Sequence, residues 1–204
     1  MVGIGLSTVA IMSNTRIGIL GRGNIGNGLG DGWRAAGHEV LAGSRSGDVS
    51  VAEAGGFGEV VLLAVPAEAV LEVLPHIPPD RVVIDCTNDV TAGFLVEHPY
   101  AKIVAARPDL QVVKAFNLCH DSVWRAPSRV FDGRALAVPM CGPSDAKTVV
   151  GRLISDLGCT PLDAGGPERA ALLESTAAFA IGLWFAGFDA QAILQPLRSD
   201  LLAS

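Results

Sequence analysis

The chain has 204 residues, of which 50% are hydrophobic and 5% aromatic, and its formal net charge is −6 at pH 7. This length and apolar content are sufficient to bury one domain-sized core. Nucleic acid is excluded as a partner, because binding of the phosphate backbone normally requires a basic face. An anionic ligand must therefore rely on local cations. The many Ala, Val, Leu and Gly residues favour an α/β protein whose strands are covered on both faces.

The N-terminal segment and the cysteines add little that is specific. Residues 1–15 form a mildly apolar leader without the basic start and long apolar stretch of a signal peptide. Since Met12 could be the natural start, we expect this leader to be disordered or non-native. The four cysteines are widely spaced and include no C-x-x-C pair, which signals neither a zinc site nor a disulfide framework. We expect reduced thiols, no metal and a cytoplasmic protein.

A nucleotide-binding β-α-β unit is predicted between residues 16 and 45. The apolar run Arg16–Leu20 suits a buried parallel strand. A helix is predicted over residues 25–36 and a second strand over residues 39–42. Between the first strand and the helix stands a G-x-G-x-x-G motif. Its residues are Gly21, Arg22, Gly23, Asn24, Ile25 and Gly26.

Each glycine of this motif has its own function. Gly21 permits a tight turn, Gly23 lets the backbone approach a pyrophosphate, and Gly26 lets the helix pack on the strand. The amides at the helix start then face the phosphates. We therefore predict that the first five motif residues bind the cofactor, with Arg22 adding a positive charge. These residues are Gly21, Arg22, Gly23, Asn24 and Ile25.

The interior of this helix contains Gly28, Gly30 and Gly32. Each costs about 1 kcal/mol relative to alanine. Packing must therefore hold the helix together. Either another element approaches it closely, or the helix is frayed and needs the ligand.

The end of the second strand indicates which cofactor is bound. Enzymes that prefer NAD place Asp or Glu about 20 residues past the glycines to bind the ribose 2′-hydroxyl. This chain has Gly43-Ser44-Arg45-Ser46 there. A hydroxyl and a guanidinium can bind a 2′-phosphate, which a carboxylate would repel. We therefore predict NADP(H), with Ser44 and Arg45 at its 2′-phosphate.

The third strand, predicted over residues 59–66, ends at a proline that forces the chain out of the sheet. Ligands bind at the carboxyl ends of the strands in a doubly wound sheet. We therefore expect Ala64, Val65 and Pro66 to line the path of the cofactor.

Polar residues also end the next two strands, which are predicted over residues 81–86 and 111–117. Thr87, Asn88 and Asn117 can hydrogen-bond a ribose or a carboxamide without bringing charge. Thr87 and Asn88 could equally be turn residues. We include all three in the predicted cofactor site.

Two ionisable residues, His120 and Asp121, follow the fifth strand and share its carboxyl edge with Lys114 and Asn117. One hypothesis is that His120 or Asp121 is a catalytic residue that donates a proton to the product. The alternative is a surface or core histidine without a catalytic function.

The remaining elements continue the β-α-β order, which predicts an open, doubly wound parallel sheet of Rossmann type over residues 16–166. A C-terminal helical segment, residues 167–204, would then pack on the cleft or against another subunit. Its apolar run is too short to span a bilayer. Further helices are predicted over residues 49–54, 67–74, within 90–110 interrupted by Pro99 and Pro108, 145–157 with Ser144 as N-cap, 167–185 and 189–202, and further strands over 135–140 and 159–163.

At this point the chain resembles the F420:NADP oxidoreductases, the NADPH-dependent reductases of coenzyme F420. The resemblance covers most of residues 16–175. It is carried by Ile-Gly-Ile-Leu-Gly-Arg-Gly-Asn-Ile-Gly at 17–26, Gly-Ser-Arg-Ser at 43–46, Ala-Val-Pro at 64–66, Val-Val-Lys-Ala-Phe-Asn at 112–117, Cys-Gly-Pro at 141–143, Leu-Asp-Ala-Gly at 162–165 and Leu-Leu-Glu-Ser at 172–175.

The resemblance implies a homodimer that transfers hydride reversibly between NADPH and the deazaflavin of F420. Residues like Ser44 and Arg45 would hold the 2′-phosphate. Because F420 carries a phosphate and a glutamate tail, its site should contain cations. The chain departs from the family at residues 120–124, where bulky and ionisable side chains face the expected acceptor site. The candidate cations are Arg107, Lys114, Arg125 and Arg129.

Two other readings fit the same residues. The first is an NADPH-dependent reductase of another small-molecule acceptor, such as an imine, a free flavin or ferric iron. The second is a non-catalytic NADP(H)-sensing module, which would keep the glycine motif and close the acceptor cleft. Turnover with one of these acceptors would distinguish an enzyme from a sensor.

Overall fold

The computed structural model describes residues 14–188. Residues 1–13 of the expected leader and the final helix, predicted over residues 189–202, lie outside this part of the chain. The strands are β1 (Arg16–Leu20), β2 (Glu39–Gly43), β3 (Val60–Leu63), β4 (Val82–Asp85), β5 (Asp89–Thr91), β6 (Phe94–Glu97), β7 (Gln111–Ala115), β8 (Val130–Phe131), β9 (Arg134–Ala135), β10 (Ala137–Cys141) and β11 (Thr160–Asp163).

Helices connect most of these strands, and 3-10 turns flank α3 and precede α7. The turns are Ala67–Ala69, Leu74–His76 and Pro167–Arg169. The helices are α1 (Asn24–Ala35), α2 (Val51–Phe57), α3 (Val70–Val73), α4 (Pro99–Ala106), α5 (Asp121–Arg125), α6 (Ser144–Asp156) and α7 (Ala170–Phe185).

A seven-stranded sheet with the order β11-β10-β7-β4-β3-β1-β2 forms the centre of the fold. Helices α1, α5 and α6 cover one face through one buried apolar cluster, and α2, α3, α4 and α7 cover the other through a second cluster. The predicted doubly wound α/β fold of Rossmann type is therefore confirmed.

The strand order reverses beside β1, which pairs in parallel with β2 on one side and with β3 on the other. Leu20 is opposite both Gly43 and Leu63 at the carboxyl ends of these strands. The loops that follow the three strands therefore leave the sheet together. A ligand crevice forms at such a switch point in doubly wound folds.

The prediction of a parallel sheet is wrong at one position. Strand β10 pairs antiparallel with β7, through Met140 opposite Ala115 and Cys141 opposite Lys114. A parallel connection needs a crossover of a dozen or more residues, usually a helix. Between β7 and β10 the chain is long enough but forms the five-residue helix α5 and the short β8–β9 hairpin in place of a long crossover helix, and β10 returns in the opposite direction.

Two local predictions also need correction. Residues 89–97 form the β5–β6 hairpin, and Pro99 begins α4 instead of interrupting a helix. Proline is favoured there because the first helical N–H needs no partner within the helix. Ser144 is the first residue of α6, and Pro143 occupies the N-cap position without a side-chain hydrogen bond.

Close packing explains the glycines within α1. A Cβ atom added at Gly28 would lie 2.9 Å from the backbone carbonyl of Trp124 in α5, and one at Gly30 would lie 2.9 Å from Cδ1 of Ile19. At Gly32 it would lie 2.6 Å from Cδ2 of Leu157. Of the two explanations offered by the sequence, the close approach of other elements is therefore the one that the structure supports.

Gly28→Ala should lower the free energy of unfolding by about 1–3 kcal/mol, because the new methyl group meets backbone atoms that cannot rotate away. Gly56→Ala in α2 is the matched control. A Cβ there has nothing within 4 Å, so alanine should raise the free energy of unfolding by about 0.5–1 kcal/mol. Urea unfolding measures both changes. Equal effects in the two variants would contradict the packing of α5 against α1.

Candidate functional site

The loops after β1, β2 and β3 enclose a cleft of about 270 Å³, which we call the first cleft. Eight of the predicted cofactor-binding residues line it. They are Gly21, Arg22, Gly23, Ser44, Arg45, Ala64, Val65 and Pro66.

The backbone of the glycine loop fits a pyrophosphate. Gly21 has φ +114°, and a Cβ there would lie 2.2 Å from the carbonyl oxygen of Ala64. A Cβ at Gly26 would lie 2.4 Å from the carbonyl oxygen of Gly21. Gly23 is the N-cap residue of α1, and no side chain hydrogen-bonds to the helix start there. A Cβ added at Gly23 would have no atom within 4 Å. The first amides of α1 therefore lack a capping side chain, and such amides bind anions.

Two arginines give the first cleft a positive rim. Arg22 and Arg45 are both exposed and both line it. A Cβ built on Gly47 would lie 2.7 Å from Oγ of Ser44 and 3.2 Å from a guanidinium nitrogen of Arg22. The hydroxyl and this guanidinium therefore lie beside the same loop, an arrangement that suits a phosphate. Sequence reasoning missed Glu72, a carboxylate that also lines this cleft.

A larger opening of about 580 Å³, the second cleft, lies on the other side of the α1 start. Gly23 lines the first cleft and Ile25 the second, so the glycine motif borders both. Asn24 and Thr87 line neither of the two clefts described here. The second cleft is lined by Ile25, Cys86, Asn88, Asn117, Leu118, Cys119, His120, Asp121, Ala177, Ala180, Ile181, Trp184 and Phe185.

Asn88 and Asn117 form a pair whose amide orientation is fixed by their partners. Asn88 donates from Nδ2 to the Asn117 carbonyl oxygen (2.8 Å). Asn117 donates from Nδ2 to Oδ1 of Asn88 (2.9 Å) and to the carbonyl oxygen of Leu173 (3.1 Å). Its own Oδ1 is buried without a partner among the described residues. A buried acceptor without a partner costs free energy.

An unusual backbone conformation precedes Asn117. Phe116 has φ 65°, which is rare for a bulky residue and costs about 1–3 kcal/mol. Its ring makes edge contacts with Trp33 and Trp124, at centroid distances of 5.9 and 5.3 Å. This packing holds the bend at the end of β7, from which the chain turns to place Asn117 beside Asn88.

His120 and Asp121 are adjacent at the start of α5. Nδ1 of His120 lies 3.0 Å from Oδ1 of Asp121, and Arg125 donates to the other carboxylate oxygen (3.1 Å). The His120 ring also contacts the edge of Trp184, with centroids 5.8 Å apart. Nδ1 of His120 also accepts from the backbone N–H of Ser122 (3.3 Å), as the N-cap of α5. Both His120 and Asp121 line the second cleft.

Below the second cleft lies a buried charge cluster formed by Asp85, Lys114 and Glu174, all with fully buried side chains. Nζ of Lys114 donates to Asp85 Oδ2 (2.9 Å), to Glu174 Oε1 (2.9 Å) and to the carbonyl oxygen of Thr87. Burial alone lowers the pKa of Lys114, but the two carboxylates outweigh it and the net shift is upward. Thr87 donates its hydroxyl to Asp85 Oδ1 (2.6 Å), so this hydroxyl is already committed.

Sequence reasoning did not find this cluster, although one signal was present. A lysine inside the apolar strand Gln111–Ala115 can be buried only with an opposite charge. Its partner Glu174 is distant in sequence and lies in an apolar helix, so the pairing could not be read from spacing.

None of the four cations proposed for an acceptor tail lines the second cleft. Lys114 is enclosed in the charge cluster, and Arg107 binds Asp109 and two carbonyl oxygens. Arg129 donates to the carbonyl oxygens of Trp124 and Leu157. Arg125 is exposed and reaches the rim through Asp121. An anionic tail would therefore have to extend along the outside of the cleft.

The cysteines should be unreactive in the folded protein. Burial raises the pKa of Cys86 to about 12, and burial followed by the influence of Cys159 raises that of Cys119 to about 11. The thiolate is the reactive form, and it is present only as the pH approaches these values. We expect a chromogenic disulfide reagent at pH 7.5 to label the four free thiols only after denaturation. Rapid labelling of Cys86 in the folded protein would contradict its burial.

Known proteins match this geometry. The profile of a family described as "NADP oxidoreductase coenzyme F420-dependent" matches residues 16–89, from β1 to the start of β5. The resemblance seen in the sequence is therefore confirmed over these residues. No helix within residues 14–188 has the length and apolarity needed to cross a membrane.

Solved structures share the fold. A hypothetical protein from Sinorhizobium meliloti is 25% identical, with a TM-score of 0.67 over 76% of this chain and 86% of that one. A protein from Arthrobacter sp. FB24, described as a candidate F420-dependent NADP-reductase, is 21% identical, with a TM-score of 0.75 over 86% and 96%. An imine reductase from Pseudomonas sp. is 17% identical, with a TM-score of 0.56 over 85% and 61%.

The family match over residues 16–89 supports an NADP-dependent oxidoreductase, and the fold agrees with it. The matching family is that of the F420-dependent NADP oxidoreductases, and the match covers the part of the chain that contains the glycine motif.

Proposed function

We propose that the chain transfers hydride between NADPH and a planar acceptor, coenzyme F420. The observation that carries this proposal is the pair of adjoining clefts on either side of the α1 start. The first has phosphate-binding features, and the second is mostly apolar and large enough for stacked rings. A dinucleotide that crosses α1 would place its nicotinamide in the second cleft, beside the acceptor.

The described residues would divide the binding of NADPH between them. Gly21, Gly23 and the first amides of α1 hold the pyrophosphate. Ser44 and Arg45 hold the 2′-phosphate, with Arg22 beside them. The remaining cofactor contacts would come from residues that line one of the two clefts, namely Ile25, Ala64, Val65, Pro66, Asn88 and Asn117.

Alignment is the main task of the protein in this reaction. NADPH supplies the hydride, and no general acid or base has to act on carbon. Asn88 and Asn117 line the second cleft, where their side chains would orient the carboxamide of the nicotinamide. Ile25, Ile181 and Trp184 line the second cleft and would give two flat rings apolar surfaces to pack against. Such alignment alone can supply a large part of a rate enhancement.

One observation favours a second candidate, the reduction of an imine. His120 and Asp121 line the second cleft, and such a reaction needs a proton donor there. Hydride from NADPH would add to the imine carbon, the proton of His120 would go to the nitrogen, and NADP⁺ would leave. Free flavin and ferric iron remain weaker alternatives. A sensing module is expected to close its acceptor cleft, whereas the second cleft is open.

The protein would act as a cytoplasmic homodimer. The cytoplasm keeps the four free cysteines reduced. Phe94 and Val96 on the β5–β6 hairpin and Phe179 on α7 are exposed, at 77%, 55% and 61%. Exposed apolar side chains of this size favour association. Sedimentation velocity would test the homodimer, and a monomer at high concentration would rule the homodimer out.

Turnover assays with NADPH test the proposed function. Oxidation would be followed spectroscopically with F420, FMN, a cyclic imine or a ferric chelate as acceptor. We expect the highest kcat/KM with F420, and His120→Gln should have little effect on it. If the imine is preferred and His120→Gln abolishes its reduction, the second candidate is correct. Tight NADPH binding without turnover of any acceptor would indicate a sensor.

A further inference from the structure

Helix α7 supplies one complete wall of the second cleft. Ala177, Ala180, Ile181, Trp184 and Phe185 all line it. Their spacing of three, four and seven places them on one side of the helix. None of them forms a polar contact with the sheet among the described residues. The position of this wall must therefore be set elsewhere on the helix.

The first turn of α7 provides two polar contacts with the sheet. Leu173 accepts a hydrogen bond at its carbonyl oxygen from Nδ2 of Asn117 (3.1 Å). Glu174 accepts one at Oε1 from Nζ of Lys114 (2.9 Å). Both donors come from the carboxyl-end region of one strand, β7 and the residues just after it. The helix is thus tied to the same strand end that presents Asn117 to the second cleft.

Glu174 is held from three directions. Besides the ammonium group of Lys114, the backbone N–H of Tyr100 donates to Oε1 (3.0 Å), and Nδ1 of His98 lies 2.7 Å from Oε2. The Glu174 side chain is fully buried. A buried carboxylate with this many donors has one favourable position, because any shift leaves charge unpaired.

The far part of α7 is held by a different contact. Gly182 lies against Gly93 of the β5–β6 hairpin, and a Cβ on Gly93 would be 2.3 Å from Cα of Gly182. This contact sets the distance of the helix from the hairpin and has no directional bond. The directional contacts described for α7 are therefore those of Leu173 and Glu174 near its start.

We propose that Glu174, held by Lys114, is a positioning residue that fixes α7 so that its apolar side forms the acceptor wall. It touches neither cofactor nor acceptor and acts through the helix. The proposal rests on hydride transfer in the second cleft for its functional consequence. Its structural part can be tested in the absence of any substrate.

The test compares Glu174→Ala and Glu174→Gln with Lys147→Met. Lys147 is the matched control, because it is also buried and ion-paired, with Asp163, but lines neither cleft. Hydrogen–deuterium exchange of residues 176–188 is measured without ligand. We expect faster exchange in Glu174→Ala than in wild type or Lys147→Met.

Kinetics then give the functional effect in the full chain. Glu174→Ala should lower kcat/KM for the acceptor about 100-fold, since a misplacement of about 1 Å can cost that much. The dissociation constant of NADPH should stay at its wild-type value. Glu174→Gln should recover much of the loss, because its Oε1 can still accept from Lys114 and Tyr100. If Glu174→Ala does not fold, Glu174→Gln still has to show an intermediate acceptor defect.

Unchanged exchange of α7 in Glu174→Ala would overturn the proposal. An equal fall of kcat/KM for the acceptor in Lys147→Met would do so as well, because it would indicate a general loss of stability. If wild-type protein transfers no hydride to any acceptor, the proposed function fails, while the exchange measurement still decides whether Glu174 positions α7.

Discussion

Arg45→Ala is expected to weaken NADPH binding about 10- to 100-fold and to leave NADH binding nearly unchanged. Arg45 lines the first cleft beside Ser44, at the end of β2. A guanidinium bound to the 2′-phosphate forms charge-assisted hydrogen bonds, each worth about 1.5–3 kcal/mol. NADH has a hydroxyl at that position and loses little. The preference for NADPH over NADH should therefore be largely lost.

Arg34→Ala is the matched control for this variant. Arg34 is exposed on α1, pairs with Asp31 and lines neither of the two clefts described above. The Arg34→Ala variant removes the same charge from the protein and leaves the proposed site unchanged. Titration of wild type and of both variants with each nucleotide, at two ionic strengths, gives the dissociation constants that are needed. If NADPH and NADH weaken alike in Arg45→Ala, the 2′-phosphate is bound elsewhere.

Lys114→Met should lower the free energy of unfolding by about 3–5 kcal/mol, the cost of leaving a buried charge without its partner. Asp85 and Glu174 would then face each other without the ammonium group between them. The pKa of Lys114 is raised, so its contribution is complete at neutral pH and is lost only as the pH rises beyond the ordinary range of lysine. Urea unfolding at pH 7 measures the loss.

Two further variants show whether the loss of stability in Lys114→Met is caused by unpaired charge. Arg16→Ala breaks the exposed pair with Glu59, both about half exposed, and should cost less than about 1 kcal/mol. Adding Glu174→Gln to Lys114→Met removes one uncompensated charge, so the double variant should be more stable than Lys114→Met alone. A double variant that is less stable would show that the contacts of Glu174 with His98 and Tyr100 outweigh the uncompensated charge.

Those parts of the site that depend on short stretches of chain could be predicted from the sequence. The positive φ of Gly21 and the open N-terminus at Gly23 follow from one hexapeptide. The exits of β2 and β3 carry their own signals, in Ser44-Arg45 and in Pro66. Each of these residues lies next to the element that positions it, so local rules are sufficient.

Features that depend on distant pairing could not be predicted. The antiparallel placement of β10 depends on the length and path of the connection that precedes it, which residue patterns describe poorly. Glu174 and Lys114 are 60 residues apart, and only the docking of α7 brings them together. The orphan acceptor on Asn117 likewise became visible only when both partners of its amide nitrogen were known.

The structure of the chain with NADPH bound tests the central claim most directly. We predict that the pyrophosphate lies against the amides at the start of α1, between Gly23 and Ile25. The 2′-phosphate should lie within hydrogen-bond distance of Ser44 and Arg45, and the nicotinamide beside Asn117 in the second cleft. A nucleotide bound outside the two clefts, or with its 2′-phosphate away from the end of β2, would contradict the account.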